Sequence, residues 1–234
     1  MKKQLLALAV ALWIQPLFAL AAAPTSVKAS YQIYRNKLLF AKVEETFTVI
    51  SGKYRIESTT HADGVAALLT KDRITRLSTG QVTKEGLKPQ LYEEKRMSDT
   101  KIKSAATARF DWANKTLSLE HNDKSEQVPL PTGTLDWSAL FYQFLFRAPR
   151  KDLVTVTLTD GKRIETYDYR FADDADITTA AGNFQTAHYV HTSKEGERKT
   201  EIWLAKNKSY FPVRLAQQED GNVIEQRLVA LSFH

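Results

Sequence analysis

The segment Leu153–Phe171, LVTVTLTDGKRIETYDYRF, is written in period two. Val154, Val156 and Leu158 alternate with Thr155, Thr157 and Thr159; beyond Asp160-Gly161, Glu165, Tyr167, Tyr169 and Phe171 alternate with Ile164, Thr166, Asp168 and Arg170. Successive side chains of a strand point to opposite faces, so this is two half-buried strands joined by a tight turn. Asp-Gly tolerates the positive φ that short hairpin turns require. The same grammar extends outward. Phe184, Thr186, His188 and Val190 share a face, and Thr200, Ile202 and Leu204 oppose Lys199, Glu201, Trp203 and Ala205. Ser51-Gly52, Glu195-Gly196 and Asp220-Gly221 punctuate other alternating runs, with Asn36-Lys37, Asn114-Lys115 and Asn122-Asp123 as weaker versions.

A dozen or more such strands with short turns predict an all-β fold in which neighbours pair antiparallel as a meander. Twist accumulates in a sheet of this size and open edges aggregate. The expected architecture is a curved half-barrel or bent sandwich, with one main helix packed on its concave side. No Gly/Ser/Pro-rich linker or internal repeat divides the chain, so residues 22–234 are read as a single domain.

The N-terminus carries a different signal. Met1-Lys2-Lys3, the apolar run Leu5–Phe18 and the small-x-small pattern Ala19-Leu20-Ala21 read as a secretory signal peptide, residues 1–21, cleaved after Ala21. The style is bacterial and the expected location is the periplasm. The chain contains no Cys, which excludes disulfides, thiolate metal sites and a cysteine nucleophile. Loss of Lys2 and Lys3 lowers the formal charge from +6 to +4, a mildly basic surface compatible at most with peripheral contact with anionic lipid.

Two segments break the strand pattern. Gly64–Thr70 reads as a short helical turn. Leu135–Arg147 reads as a helix with Thr134 or Asp136 as N-cap and Pro149 as its stop. Trp137, Leu140, Phe141, Phe144 and Leu145 form one apolar stripe, while Ala139, Tyr142 and Phe146 form a second. Water would leave several kcal/mol of burial unrealised at the second stripe, so something covers both. Three coverings fit: the sheet itself, an apolar ligand in a pocket, or a protein or membrane partner. Trp137, Phe141, Tyr142, Phe144 and Phe146 are therefore the candidate ligand-binding residues, with Arg147 placed to pair with an anionic head group.

Catalytic and metal patterns are not in evidence in the sequence. His188 and His191 lie three apart on a strand and face opposite ways, and a hydrogen-bonded core histidine explains His188 better than a functional one. Asp173, Asp174 and Asp176 lack the glycine and terminal Glu of a calcium loop. Ser138, Asp136 and His188 contain triad residue types without a nucleophile elbow, and Asp136 is simpler as a helix cap. The basic clusters Arg147–Lys151 and Lys95–Lys103 come without a nucleic-acid-binding motif. The expectation is a non-enzymatic protein with no metal, cofactor or nucleic-acid partner, binding or carrying a lipid-like or apolar molecule. The alternative is a structural or assembly factor that docks on another envelope protein.

Ser78-Thr79-Gly80 followed by Gly86-Leu87-Lys88-Pro89, then Phe110-Asp111-Trp112, Pro131–Asp136, Trp203-Leu204-Ala205 and Phe211-Pro212-Val213-Arg214 form an ordered set. In this order the chain resembles the secreted bacterial proteins of domain-of-unknown-function family 3108, from about Tyr31 to Leu231. The resemblance implies a β-rich envelope protein and brings no catalytic residues.

Overall fold

The computed structural model describes residues 24–234, apart from residue 195. The expected signal peptide lies outside the described residues. Fifteen strands form one sheet: β1 Ser26–Arg35, β2 Leu38–Ile50, β3 Lys53–Ala62, β4 Asp72–Thr83, β5 Gly86–Ser98, β6 Lys101–Asp111, β7 Thr116–His121 and β8 Lys124–Pro129, then β9 Leu135–Asp136, β10 Leu153–Thr159, β11 Ile164–Thr179, β12 Gly182–Thr192, β13 Arg198–Ala205, β14 Phe211–Glu219 and β15 Asn222–Phe233. One α-helix, α1 Trp137–Gln143, follows β9, and a 3₁₀ turn, Gly64–Leu68, links β3 to β4. The spatial order is β8-β7-β6-β5-β4-β3-β2-β1-β15-β14-β13-β12-β11-β10-β9. Each neighbouring pair is antiparallel except β9–β10, which is parallel over Leu135–Asp136 and Leu158–Thr159. The chain thus meanders one way from β1 to β8, restarts at the opposite edge with β9, and meanders back until β15 pairs with β1.

That order forces the sheet to curl. Laid flat, fifteen strands would span about 67 Å. Its two edges, β8 and β9, are consecutive in the chain and joined only by residues 130–134, a link that reaches about 20 Å. The edges must therefore face each other across a seam, and the antiparallel meander expected from the alternation becomes barrel-like. At one end the seam is tight. The Asp160-Gly161 turn rests on β6, where a side chain on Gly161 (φ +81°) would meet the Ala106 Cβ at 3.0 Å. Edge strand β8 is short, polar and ends in Pro129, which blunts pairing with other molecules.

The helix sits inside the curl, touching β3, β4 and β5 on one side and β9, β10 and β14 on the other. It is shorter than the expected Leu135–Arg147. Leu135 and Asp136 are drawn into the sheet by β10. Phe144–Arg147 continue as tighter turns, with Leu145 N donating to the Tyr142 carbonyl at 3.1 Å and Phe146 N to the Gln143 carbonyl at 3.1 Å. Between the two candidate caps, Asp136 is the one that acts: its Oδ1 accepts from Ser138 N at 2.9 Å and Ala139 N at 2.8 Å.

Most of both apolar stripes is covered by the protein's own strands, with Trp137 and Phe146 left partly exposed. Tyr142 is wholly buried, stacked on Phe47 of β2 at 4.8 Å and edge-on to Phe211 of β14 at 5.7 Å. Leu140, Phe141, Phe144 and Leu145 are buried, and Phe146 lies half-buried against Phe47. Burying the helix also buries two carboxyls. Tyr142 Oη donates to Glu45 Oε2 at 3.2 Å, and Ser78 Oγ donates to Asp136 Oδ2 at 2.6 Å beside Tyr54 Oη at 3.1 Å. Burial pushes the Asp136 carboxyl up to about 6 from 3.8, against the pull of Ser78 and the helix amides. Burial likewise raises Glu45, and the Tyr142 hydroxyl offsets part of that rise.

Two measurements test this packing. Phe47→Ala removes the ring on which Tyr142 stacks and is expected to cost about 3–5 kcal/mol in urea unfolding. A cost below about 1 kcal/mol would mean that the ring is not in a close-packed core. Because Asp136 holds its proton more tightly folded than unfolded, its contribution is complete below pH 3.8 and lost as pH rises through about 6. Asp136→Asn, which keeps a capping oxygen, should gain on the wild type by up to about 3 kcal/mol between about pH 4 and pH 7. A stability difference that does not change with pH contradicts the buried, raised carboxyl.

Candidate functional site

Where the seam is not tight, it opens into a groove of about 720 Å³ at the C-terminal end of α1. One wall comes from β5 and the segment after β6, through Leu87, Lys88 and Trp112. Its back is the edge-joining link, with Leu130, and Leu135 of β9. The helix exit supplies Gln143, Phe144 and Arg147, followed by Pro149 and Arg150. The opposite wall is Leu153–Thr157 of β10. Since β9 pairs only with Leu158 and Thr159, the edge of β10 from Leu153 to Thr157 has no strand beside it on this side among the described residues.

Side chains fixed elsewhere hold the groove's shape. Gln143 Oε1 accepts from Leu87 N at 2.7 Å, and Gln143 Nε2 donates to the Glu85 carbonyl at 3.2 Å, tying the β4–β5 turn to the helix. Gly86, at φ +110°, lies so close to this amide that any side chain there would collide with it. Trp112 Nε1 donates to the Pro89 carbonyl at 2.6 Å, its ring stacks on Phe110 at 5.8 Å, and Lys88 Nζ lies 5.3 Å from its centroid. The charged lining is Lys88, Lys115, Arg147 and Arg150 against Glu85, and Arg150 is also 3.6 Å from Asp152, so an apolar floor carries a net basic rim.

A second, smaller cleft of about 330 Å³ opens at the other end of the helix, above Trp137. Its charges are balanced. Arg76 pairs with Glu94 at 2.7 Å, Arg163 with Glu165 at 3.3 Å, and Arg198 with Glu219 at 2.5 Å. Tyr167 Oη donates to Glu165, and burial followed by that carboxylate raises the phenol to about 12. Tyr169 is raised further by its deeper burial.

The six side chains singled out in the sequence separate in space. Phe144 and Arg147 line the groove, whereas Trp137 lines the second cleft. Phe141 and Tyr142 are packed core that reaches neither cavity, and Phe146 packs on Phe47. The helical stripe marks the plug of the barrel, and only its last turn reaches the opening. The sequence reading missed Leu87, Lys88, Trp112, Lys115, Leu130 and Val154–Val156. They come from segments up to 70 residues apart, joined only by seam closure. The available signal was the motif order: Gly86–Pro89, Phe110–Trp112 and Pro131–Asp136 all meet at the seam.

The catalytic constellation dismissed above does not assemble. His188 Nδ1 lies 3.0 Å from Asp173 and Nε2 3.2 Å from Glu201, and its ring stacks on Trp203 at 4.3 Å. Asp136 and Ser138 instead serve the helix N-terminus. Among the described residues no His/Asp/Glu group has a metal-binding arrangement, and no helix is long and apolar enough to cross a membrane.

Comparison with known proteins agrees with the barrel-like shape. A crystal structure titled as a β-barrel-like protein of domain of unknown function DUF1849, from Brucella abortus, superposes with a TM-score of 0.58 over 90% of this chain and 98% of that one, at 10% identity. A predicted lipoprotein from Parabacteroides distasonis ATCC 8503 (TM-score 0.36, 12% identity, covering 89% and 95%) and a predicted exported protein with YmcC-like fold from Bacteroides fragilis NCTC 9343 (0.35, 8%, covering 89% and 96%) are too distant in shape to bear on the argument. No curated protein matches the sequence. The family model described as protein of unknown function DUF3108 matches residues 30–229, so the chain belongs to that family.

Proposed function

We propose that the protein is an exported, non-enzymatic binder or carrier of an anionic amphiphile, held in the seam groove and working in the periplasm. The carrying observation is the pairing of an apolar floor (Leu87, Trp112, Leu130, Phe144, Val154, Val156) with a rim of four cations, one of them paired with Asp152, against Glu85. An apolar tail gains from leaving water, at about 25 cal/mol per Å². An acidic head gains charge-assisted hydrogen bonds from Arg147 or Arg150, whose planar guanidinium matches a carboxylate or phosphate. A volume of about 720 Å³ lies within the range of about 300–1,000 Å³ usual for small-molecule sites. The signal-like N-terminus supports a periplasmic place.

A second reading rests on a different observation. The unpaired edge of β10 between Leu153 and Thr157 offers backbone donors and acceptors inside a basic groove. An acidic, extended segment of another envelope protein would add there as a strand, making the protein an assembly factor.

Palmitate is the probe that separates the two. It should bind with quenching or a blue shift of Trp112 emission, preserved in Trp137→Phe and lost in Trp112→Phe. Arg147→Glu should weaken binding about tenfold, the effect of losing one charge-assisted contact. If palmitate leaves the spectrum unchanged and native mass spectrometry finds no co-purified amphiphile, the carrier reading fails. In-cell crosslinking from β10 to one discrete protein would then favour strand addition.

A further inference from the structure

The exposed apolar side chains are not scattered over this molecule. Among the described residues nine large hydrophobics are exposed, and eight lie at one end of the barrel. Leu38 and Phe40 begin β2, beside the β1–β2 turn. Val65, Leu68 and Leu69 belong to the 3₁₀ turn between β3 and β4 and its last residue, and Leu68 and Leu69 are 86% and 87% exposed. Ile102 is second in β6, while Val223 and Ile224 are second and third in β15. Register places these positions on one rim: Ile224 pairs with Arg35, Ala41 with Ala62, Arg73 with His61, and Asp72 with Ser98. Only Ile50 lies at the opposite end. The four turns cover eight neighbouring strands, an arc of about 34 Å along the rim.

This rim is also basic. Arg35 and Lys37 flank the first turn, and Lys71 and Arg73 follow the second; Arg96, Lys101 and Lys103 surround the third. They stand against Asp63, Asp72, Asp99 and, on the fourth turn, Asp220 and Glu219, the last of which is paired with Arg198 of β13. Asp72 is already taken by Arg96 at 3.2 Å and Lys103 at 2.9 Å. The surface is not a folding by-product: Gly64 lets the 3₁₀ turn lie on the Leu39 carbonyl, and Asp63 N donates to the Phe40 carbonyl at 2.9 Å, fixing the leucines outward. Single exposed leucines are ordinary, but an outward arc of them interleaved with Lys and Arg is the pattern of an interfacial anchor.

We propose that this rim docks the protein on the surface of an anionic bilayer, with Leu68 and Leu69 entering the interface and the basic side chains meeting acidic headgroups. A protein partner would need a matching acidic, apolar concavity, whereas a bilayer meets a convex arc without shape matching. The inference does not rest on the groove reading, because the rim lies at the opposite end of the barrel from Gly86 and Leu153.

The test uses protein recovered after export and vesicles of phosphatidylglycerol with phosphatidylethanolamine, compared with pure phosphatidylcholine. The protein should co-sediment with the anionic vesicles, release as salt shortens the screening length, and bind phosphatidylcholine at least about tenfold more weakly. The double variant Leu68→Asp/Leu69→Asp, whose sites carry little of the fold, should keep its circular dichroism and unfolding midpoint yet bind about tenfold less or worse. Failure to sediment, equal binding to both lipids, or unchanged binding by the double variant overturns the proposal. A dimer that the double variant dissolves, without vesicle binding, also overturns it in favour of a second copy covering the rim.

Discussion

The structure depends on one contact set: the helix Trp137–Gln143 wedged inside a sheet whose two edges are consecutive in the chain. Residues 130–134 cannot let β8 and β9 part, and the apolar helix cannot be left in water. Each constraint satisfies the other. The curl supplies strands on both sides of the helix, and the helix fills a lumen that would otherwise be wet or empty. Tyr142 between Phe47 and Phe211 marks the centre of that wedge. The cost is two buried carboxyls, Glu45 and Asp136, each kept hydrogen-bonded because an unpaired buried acid is expensive.

The two cavities follow from where the wedge ends. A seven-residue helix cannot fill a barrel whose strands run up to sixteen residues, so openings remain beyond both of its ends. Near Trp137 the space is lined by neutralised ion pairs and tyrosines. Near Arg147 the seam itself gapes and the lining is apolar with a surplus of positive charge. Gln143 couples the two structures: it ends the helix and pins the β4–β5 turn that forms one wall of the groove.

Much of the fold was legible because it is local. Period-two runs and dipeptides such as Ser51-Gly52 and Asp220-Gly221, all at positive φ in the structure, set strands and turns without long-range information. The apolar excess of Leu135–Arg147 was legible too, and the sheet turned out to cover it on both sides. The groove was not legible. Leu87, Trp112, Leu130 and Val156 look like ordinary strand or loop positions until curling brings them together. The missing information was strand order, since the break in the meander between β8 and β9 creates the seam and leaves no trace in alternation. Tyr142 shows the same limit from the other side: its position on the second stripe was read correctly, yet only the curled sheet decides that it faces Phe47 and no cavity.

The central claim, that the seam is the binding site, is most directly tested by methyl NMR during palmitate titration. The account predicts saturable shifts in Leu87, Leu130, Leu135, Val154 and Val156, with the methyls of Leu228 and Val213 in the closed core unmoved. Shifts absent from the seam, or spread evenly through the barrel, would contradict it.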